Sequence, residues 1–217
     1  MMNFKDYKIE EFLVDLSSSS PSPGGGSVAG LVAALAGSLN SMVYSLTVNK
    51  KSFENLDLET KKLVLDFKEA SSKFINKSIE LMEQDREFFN KLMECYKMPK
   101  DTEEEKKKRN ACILQGTIKA MKAPLNLGVE CYKFYDNIDI AIKYGNKMLI
   151  SDAGCAAILL HSAIESAIVN VKVNLNSLRD KSFSKDIEKE LIELEKNSLA
   201  RKNNIVKAMN DVIYPQE

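Results

Sequence analysis

The 217-residue chain has no tryptophan, one histidine, five prolines and nine glycines. So few helix breakers, beside abundant Leu, Lys, Glu and Ala, argue against a turn-rich β architecture and for helix. A lone histidine leaves little to build a metal site from. None of the four cysteines, at 95, 112, 131 and 155, stands two residues from another, so zinc-type spacing is absent and no metal is expected. The cysteines read as reduced, buried thiols of a cytoplasmic protein. No excess charge of either sign exists, with 31 basic and 31 acidic residues, which removes the electrostatic reason to expect nucleic acid. The first residues, 1–11, are charged and lack the apolar run of a signal peptide.

What the chain does have is 44% apolar residues, enough for a real core in one domain, 1–217. One run, Val28 to Val48, has no proline and no charge and is long enough for a membrane span. Its Ser38, Asn40, Ser41, Ser45 and Thr47, with many Gly and Ala, fit a central helix packed closely by neighbours better, so no membrane partner is expected.

The periodicity predicts helices over 4–16, 28–48, 57–96, 102–144, 152–178 and 184–213. Pro99 stops the third, Asp101 or Thr102 caps the fourth, Pro124 kinks or divides it, and Gly145-Asn146 ends it. Ser151 reads as the cap of the next helix. No strand and no repeat is evident. Helices this long must lie alongside one another, so the fold class is all-α, an antiparallel bundle of long helices. Two of them are apolar on nearly every side, which predicts a homodimer with such a helix between partners.

The richest stretch is Pro21-Ser22-Pro23-Gly24-Gly25-Gly26-Ser27. The prolines hold the approach extended, and the glycines permit unusual backbone angles and close approach of a ligand. A helix starting directly afterwards offers free N–H groups to an anion or a polar ring. The plain alternative is a tight turn.

Farther on, Asp152, Ala156, Ala163, Asn170 and Asn174 share one helix face. Asp152 and Asn170 are separated by about 27 Å along the axis, too far for one small reacting centre in one subunit, though not for opposite ends of a long ligand or a site shared across a dimer. Asn170 and Asn174 are one turn apart and can act together, or hydrogen-bond between helices. His161 lies on the opposite face in line with Glu165 and near Lys172, the pattern of an exposed or interface stripe. Carboxylates are better acid–base candidates: Asp85, before Phe88-Phe89, and Asp152, at a helix start. Lys50 and Lys51, after a helix, and Lys100, after Pro99, are candidate anion contacts. The runs Glu103-Glu104-Glu105 and Lys106-Lys107-Lys108 read as a solvated, charge-paired helix face.

Taken together, Pro21 to Ala29, Met42-Val43, Leu46-Thr47, Lys50-Lys51, Asp85 with Phe89, Pro99-Lys100-Asp101-Thr102, Pro124-Leu125, Gly145-Asn146, Ser151-Asp152-Ala153-Gly154 and Asn170 to Leu175 resemble, in order, the formimidoyltetrahydrofolate cyclodeaminase and methenyltetrahydrofolate cyclohydrolase family. Asn49 and Arg86-Glu87-Phe88 depart from that pattern, and His161 matches no part of it. The resemblance implies a helical dimer that binds a polyglutamylated tetrahydrofolate derivative and needs no cofactor beyond that substrate. In the cyclodeaminase reaction N10 attacks the formimidoyl carbon on N5 and ammonia leaves. In the cyclohydrolase reaction water attacks the methenyl carbon and the ring opens to 10-formyltetrahydrofolate. On this reading Asp85 or Asp152 is the general base and acid. Gly24, Gly25, Gly26 and Ser27 bind the pterin or a carboxylate, Lys50, Lys51 or Lys100 draws the glutamate tail, and Asn170 and Asn174 bind the ligand or hold the base. The length matches the cyclodeaminase module alone, which favours the cyclohydrolase somewhat. The alternative is a non-catalytic folate-binding or scaffold dimer that meets its partner through His161, Glu165 and Lys172.

Overall fold

The computed structural model describes residues 3–178 and 182–215; residues 1–2, 179–181 and 216–217 of the expected 1–217 unit lie outside that description. After a 3-10 turn at Phe4–Asp6, the helices are α1 (Ile9–Leu16), α2 (Gly25–Thr47), α3 (Lys51–Glu54), α4 (Leu58–Lys97), α5 (Glu103–Tyr144), α6 (Ile150–Asn176) and α7 (Ser184–Ile213), with a second 3-10 turn, Lys147–Leu149, before α6. No strand occurs among the described residues.

The caps explain most boundaries. Asp57 accepts the Thr60 N–H at 2.9 Å to start α4. Thr102 and Glu105 bond reciprocally at 3.2 and 2.9 Å to start α5. Three expectations are corrected. The first helix breaks at Tyr7 and Lys8, both extended, because Phe4 folds back edge-on to Phe12, their centroids 5.5 Å apart, and the two bury together against Met82. Ile9 and Leu13 stay exposed. Ser151 is inside the first turn of α6 and not its cap, since the 3-10 turn, capped by Asn146, starts the helix at Ile150 with Leu149 as its cap. Pro124 neither ends nor divides α5, which continues through it.

The cysteine reading is also corrected. Cys95 and Cys112 are disulfide-bonded, with Cα atoms 5.5 Å apart, and Cys155 is exposed; only Cys131 is a buried free thiol. The tight turn between α4 and α5 places 95 opposite 112, a pairing that no sequence spacing announces.

α2, α4, α5 and α6 form a four-helix ring, and α7 lies over the α5–α6 groove. Cross-contacts such as Gly25 with Asn170, Phe74 with Phe134, and His161 with Ser198 run opposite ways along the paired helices, so neighbours are antiparallel. Small residues on α2 allow close approach. A Cβ on Gly30 would lie 2.8 Å from Met82 Cβ, and one on Gly37 2.9 Å from the side chains of Ile75 and Phe74. Asn137 ties three helices together at mid-bundle. Its Oδ1 accepts from Asn40 Nδ2 at 2.7 Å and Ser71 Oγ at 3.1 Å, and its carbonyl accepts from the Tyr44 hydroxyl at 2.6 Å. α2 and α6 are long and apolar enough to cross a membrane, and here they lie side by side in the ring.

The stripe expected around His161 is covered at the histidine itself. α7 seats Ser198 on it, 2.8 Å from Nδ1, and Tyr135 joins the same hydroxyl at 3.1 Å. Lys172 meets Glu195 of α7 at 3.6 Å, yet Glu165 and Lys172 stay exposed, so α7 covers His161 and not the rest of the face offered to a scaffold partner.

Candidate active site

The N-terminus of α2, the C-terminal part of α4, the first half of α5 and the end of α6 meet around a cavity of about 360 Å³. α2 begins at Gly25, so only Gly24 of the three glycines is outside the helix, and it is extended. No glycine has positive φ. The glycines therefore serve close approach and not unusual backbone angles. A Cβ on Gly26 would fall 2.2 Å from Asp85 Oδ1, and one on Gly25 3.2 Å from Asn170 Nδ2. A larger residue at 26 would push the Asp85 carboxyl out of place, while one at 25 would crowd the Asn170 amide.

Asp85 is thus pressed against the first turn of α2. Its Oδ2 accepts from Ser27 Oγ at 3.1 Å, and the Ser27 backbone also supports it. The anion expected at this helix start is in part the protein's own carboxylate. Burial still dominates: it raises the Asp85 carboxyl above the ordinary carboxylate range, with the Ser27 hydrogen bonds working the other way. A carboxyl tuned upward inside a cavity is suited to taking and returning a proton.

Asn170 and Asn174 face the same cavity. They do not bond between helices. Asn170 Nδ2 donates to the Ser166 carbonyl at 2.8 Å, and Asn174 Nδ2 to the Asn170 carbonyl at 3.0 Å. Both amides are fixed by their own helix, with their oxygens bonded to no donor among the described residues. Phe89, Leu92, Met93 and Tyr96 form the apolar wall from α4; Thr117 and Ala120 form the wall from α5. Sequence reasoning did not single out Tyr96 or Thr117. Nothing local marks them, because only the α4–α5 crossing brings them to this cavity.

The remaining candidates lie elsewhere. Asp152 is in the first turn of α6, about 27 Å from Asn170. Lys50 caps α3 and Lys51 opens it, at the far end of α2. Lys100 is exposed in the turn between α4 and α5 and does not line the cavity. The cavity lining contains Asp85 and no Lys or Arg. Arg86, one of the sequence departures, is buried with its guanidinium 4.3 Å from the Phe4 ring centroid, where it holds the N-terminal segment. His161 belongs to the α7 contact. Burial lowers its pKa, against the opposing pull of Glu165. No group of three or more metal-ligating side chains occurs among the described residues.

Comparison with known proteins bears on the cavity. Residues 8–193 match the family described as Formiminotransferase-cyclodeaminase. The chain is 36% identical over 183 residues to a methenyltetrahydrofolate cyclohydrolase of Methylorubrum extorquens, covering 84% of this chain and 86% of that one. It is 32% identical over 178 residues to the formimidoyltransferase-cyclodeaminase of Mus musculus, of which it spans 32%. The solved structure of a formiminotetrahydrofolate cyclodeaminase from Thermotoga maritima superposes with a TM-score of 0.76 at 25% identity, over 96% of both chains.

Proposed function

The chain belongs to the formiminotransferase-cyclodeaminase family, and from that premise we propose that the Asp85 cavity is where it handles the one-carbon unit between N5 and N10 of a tetrahydrofolate. It is a folate one-carbon enzyme, and the names of its relatives span two reactions, methenyltetrahydrofolate cyclohydrolase and formimidoyltetrahydrofolate cyclodeaminase. The observation that carries the site is the Asp85 carboxyl, half-buried against the α2 N-terminus where Gly26 has no side chain, and raised in pKa by that desolvation.

For hydrolysis, Asp85 accepts a proton as water adds to the methenyl carbon. The tetrahedral carbinol then releases its hydroxyl proton to solvent, the carbon–N5 bond breaks, and the proton held by Asp85 passes to N5, leaving the formyl group on N10. For deamination the same carboxyl serves N10 as it attacks the formimidoyl carbon and then protonates the departing ammonia. Either path needs an acid–base group that changes role within one turnover, which favours a pKa raised toward neutrality. The free amide oxygens of Asn170 and Asn174 suit the N–H groups of a pterin, and the α4 wall with Phe89 and Tyr96 suits its ring faces. We assign the anionic glutamate tail to cations outside the cavity lining.

Identity and coverage to the cyclohydrolase relative support testing hydrolysis first. Purified protein is expected to speed the loss of methenyltetrahydrofolate absorbance over buffer, and Asp85→Asn to reduce kcat by about 10²–10⁴-fold. Turnover of formimidoyltetrahydrofolate alone would assign deamination. Full hydrolysis by the Asp85→Asn protein would remove Asp85 from the mechanism.

A further inference from the structure

We propose that Cys95–Cys112 is a thiol–disulfide exchange site, through which a dithiol reductant loosens one wall of the Asp85 cavity and weakens its hold on substrate. The position of the bond is the first argument. It ties the last turn of α4 to an early turn of α5, with the two Cα atoms 5.5 Å apart. Two hollows flank this seam. One is the Asp85 cavity, to which α4 gives Leu92, Met93 and Tyr96 and α5 gives Thr117 and Ala120. The other is a groove of about 420 Å³ lined by both cysteines together with Lys91, Glu94, Gly116 and Lys119. The two linings interleave along the same turns of α4 and α5, so the seam that carries the disulfide is the partition between groove and cavity.

Access is the second argument. The free thiol of Cys131 is sealed in the core, whereas the disulfide opens on the groove. Cys95 is buried and Cys112 half-buried, so an incoming thiolate meets Cys112 Sγ first. It forms a mixed disulfide with Cys112, and Cys95 leaves as a thiolate that takes a proton from solvent. The second thiolate of the reductant then attacks the reductant's own sulfur in the mixed disulfide. Cys112 leaves in turn, and the reductant departs as a cyclic disulfide. Two electrons have passed from the dithiol to the protein pair, and exchange with a small disulfide in the reverse sense restores the bond.

The effect of reduction follows from the packing. Two thiols cannot stay at bonding distance and must separate to van der Waals contact, which moves the last turn of α4 against α5. Leu92 has no slack to absorb this. A Cβ on Gly116 would lie 3.0 Å from Leu92 Cδ1, so the helices already touch there with no side chain to spare. Tyr96 follows Cys95 directly. The displacement therefore falls on Leu92 and Tyr96, both in the cavity wall. It spares Asp85, about three turns back along α4 and bonded to Ser27 at 3.1 Å. The hairpin itself survives. Thr102 and Glu105 cap α5 without the disulfide, and Arg109, a long side chain that can follow the shift, donates to the Tyr96 carbonyl at 3.3 Å. Reduction thus alters the fit of the substrate and not the proton transfer; in this the inference rests on the proposed function of the cavity.

The test uses the whole chain under native conditions. Dithiothreitol below the melting temperature, followed by iodoacetamide and mass spectrometry, is expected to label Cys95 and Cys112 while the helical spectrum is retained. Oxidised glutathione is expected to close the bond again. After desalting, the reduced protein should show a KM for its folate substrate raised by about fivefold or more with kcat little changed, and reoxidation should restore the first value. Cys155→Ser, which removes the exposed free thiol, should respond as the wild type does. Cys95→Ser/Cys112→Ser should keep the reduced KM under both conditions. A bond that opens only when the helical spectrum is lost, an unchanged KM on reduction, or a response that persists in the double variant would each overturn the proposal. A readout free of activity separates this from the folate reading. Without folate, amide hydrogen exchange is expected to quicken on reduction over residues 92–98 and 109–117 and to stay unchanged over 25–30. That result in a protein that turns over neither folate would uphold the exchange site and remove the folate reading alone. Unchanged exchange along the α4–α5 seam would overturn the proposal.

Discussion

Gly26 and Asp85 form a unit in which neither residue explains itself alone. Replacing Gly26 by alanine puts a methyl group 2.2 Å from the carboxyl oxygen, against side-chain atoms that cannot move without giving up the Ser27 hydrogen bond. Gly26→Ala is therefore expected to keep the helical fold by circular dichroism and to lose turnover by about 10²-fold or more, the cost of misplacing a catalytic group by an ångström. A variant with wild-type kcat would show that the carboxyl position is immaterial. The raised pKa of Asp85 carries a stability sign as well. Its folded pKa lies above its unfolded value, so the native state holds the proton more tightly. Stability is then greatest below the unfolded pKa and falls as pH rises through the folded one. Asp85→Asn should remove this fall: its Tm at neutral pH should equal or exceed that of the wild type, with the two curves converging in acid. A Tm lowered by the substitution at neutral pH would mean that the Ser27 hydrogen bonds outweigh burial. The sequence marked the glycine stretch as special but assigned the freedom to the backbone. That Gly26 makes room for Asp85 was not legible, because its neighbour Ser27 and Asp85 are 58 positions apart and meet only through the α2–α4 crossing.

At the scale of elements, periodicity and capping located every long helix. What they misjudged were the places where one helix decides the state of another. His161 read as part of an exposed or interface stripe, and its burial was not legible because its own helix could not reveal α7 lying across it. Ser151 read as a cap because the 3-10 turn before α6 leaves no pattern of its own. Cys95 and Cys112 read as unpaired because their meeting depends on the tightness of the α4–α5 turn. The disulfide closes a loop with a sequence separation of 17, for which chain entropy predicts about 3 kcal/mol of stabilisation. Reductant is expected to lower Tm accordingly, and Cys95→Ser/Cys112→Ser should match the reduced wild type and no longer respond. Leu92 and Tyr96 of the cavity wall flank Cys95, so the same variants should raise KM more than they lower kcat. An unchanged Tm on reduction would show that packing alone fixes the α4–α5 hairpin.

Across the whole molecule, the two most apolar helices lie side by side and bury only their inner sides. That arrangement was half legible. The composition of 28–48 called for cover on all sides, while the cover available within one chain, from α4, α5 and α6, reaches only part of it. Leu35 is exposed enough that a charged side chain costs a single copy little, within about 0.5 kcal/mol for an exposed position. Should a second copy supply the missing cover, as the apolar composition of 28–48 predicts, Leu35→Glu would bury an unpaired carboxylate in that contact, where it costs several kcal/mol. The expectation is a wild-type dimer and a Leu35→Glu monomer by sedimentation, with an unchanged helical spectrum. A Leu35→Glu protein that stays dimeric and fully active would place the contact on another face, and the exposed leucines of α2 would then need a different explanation.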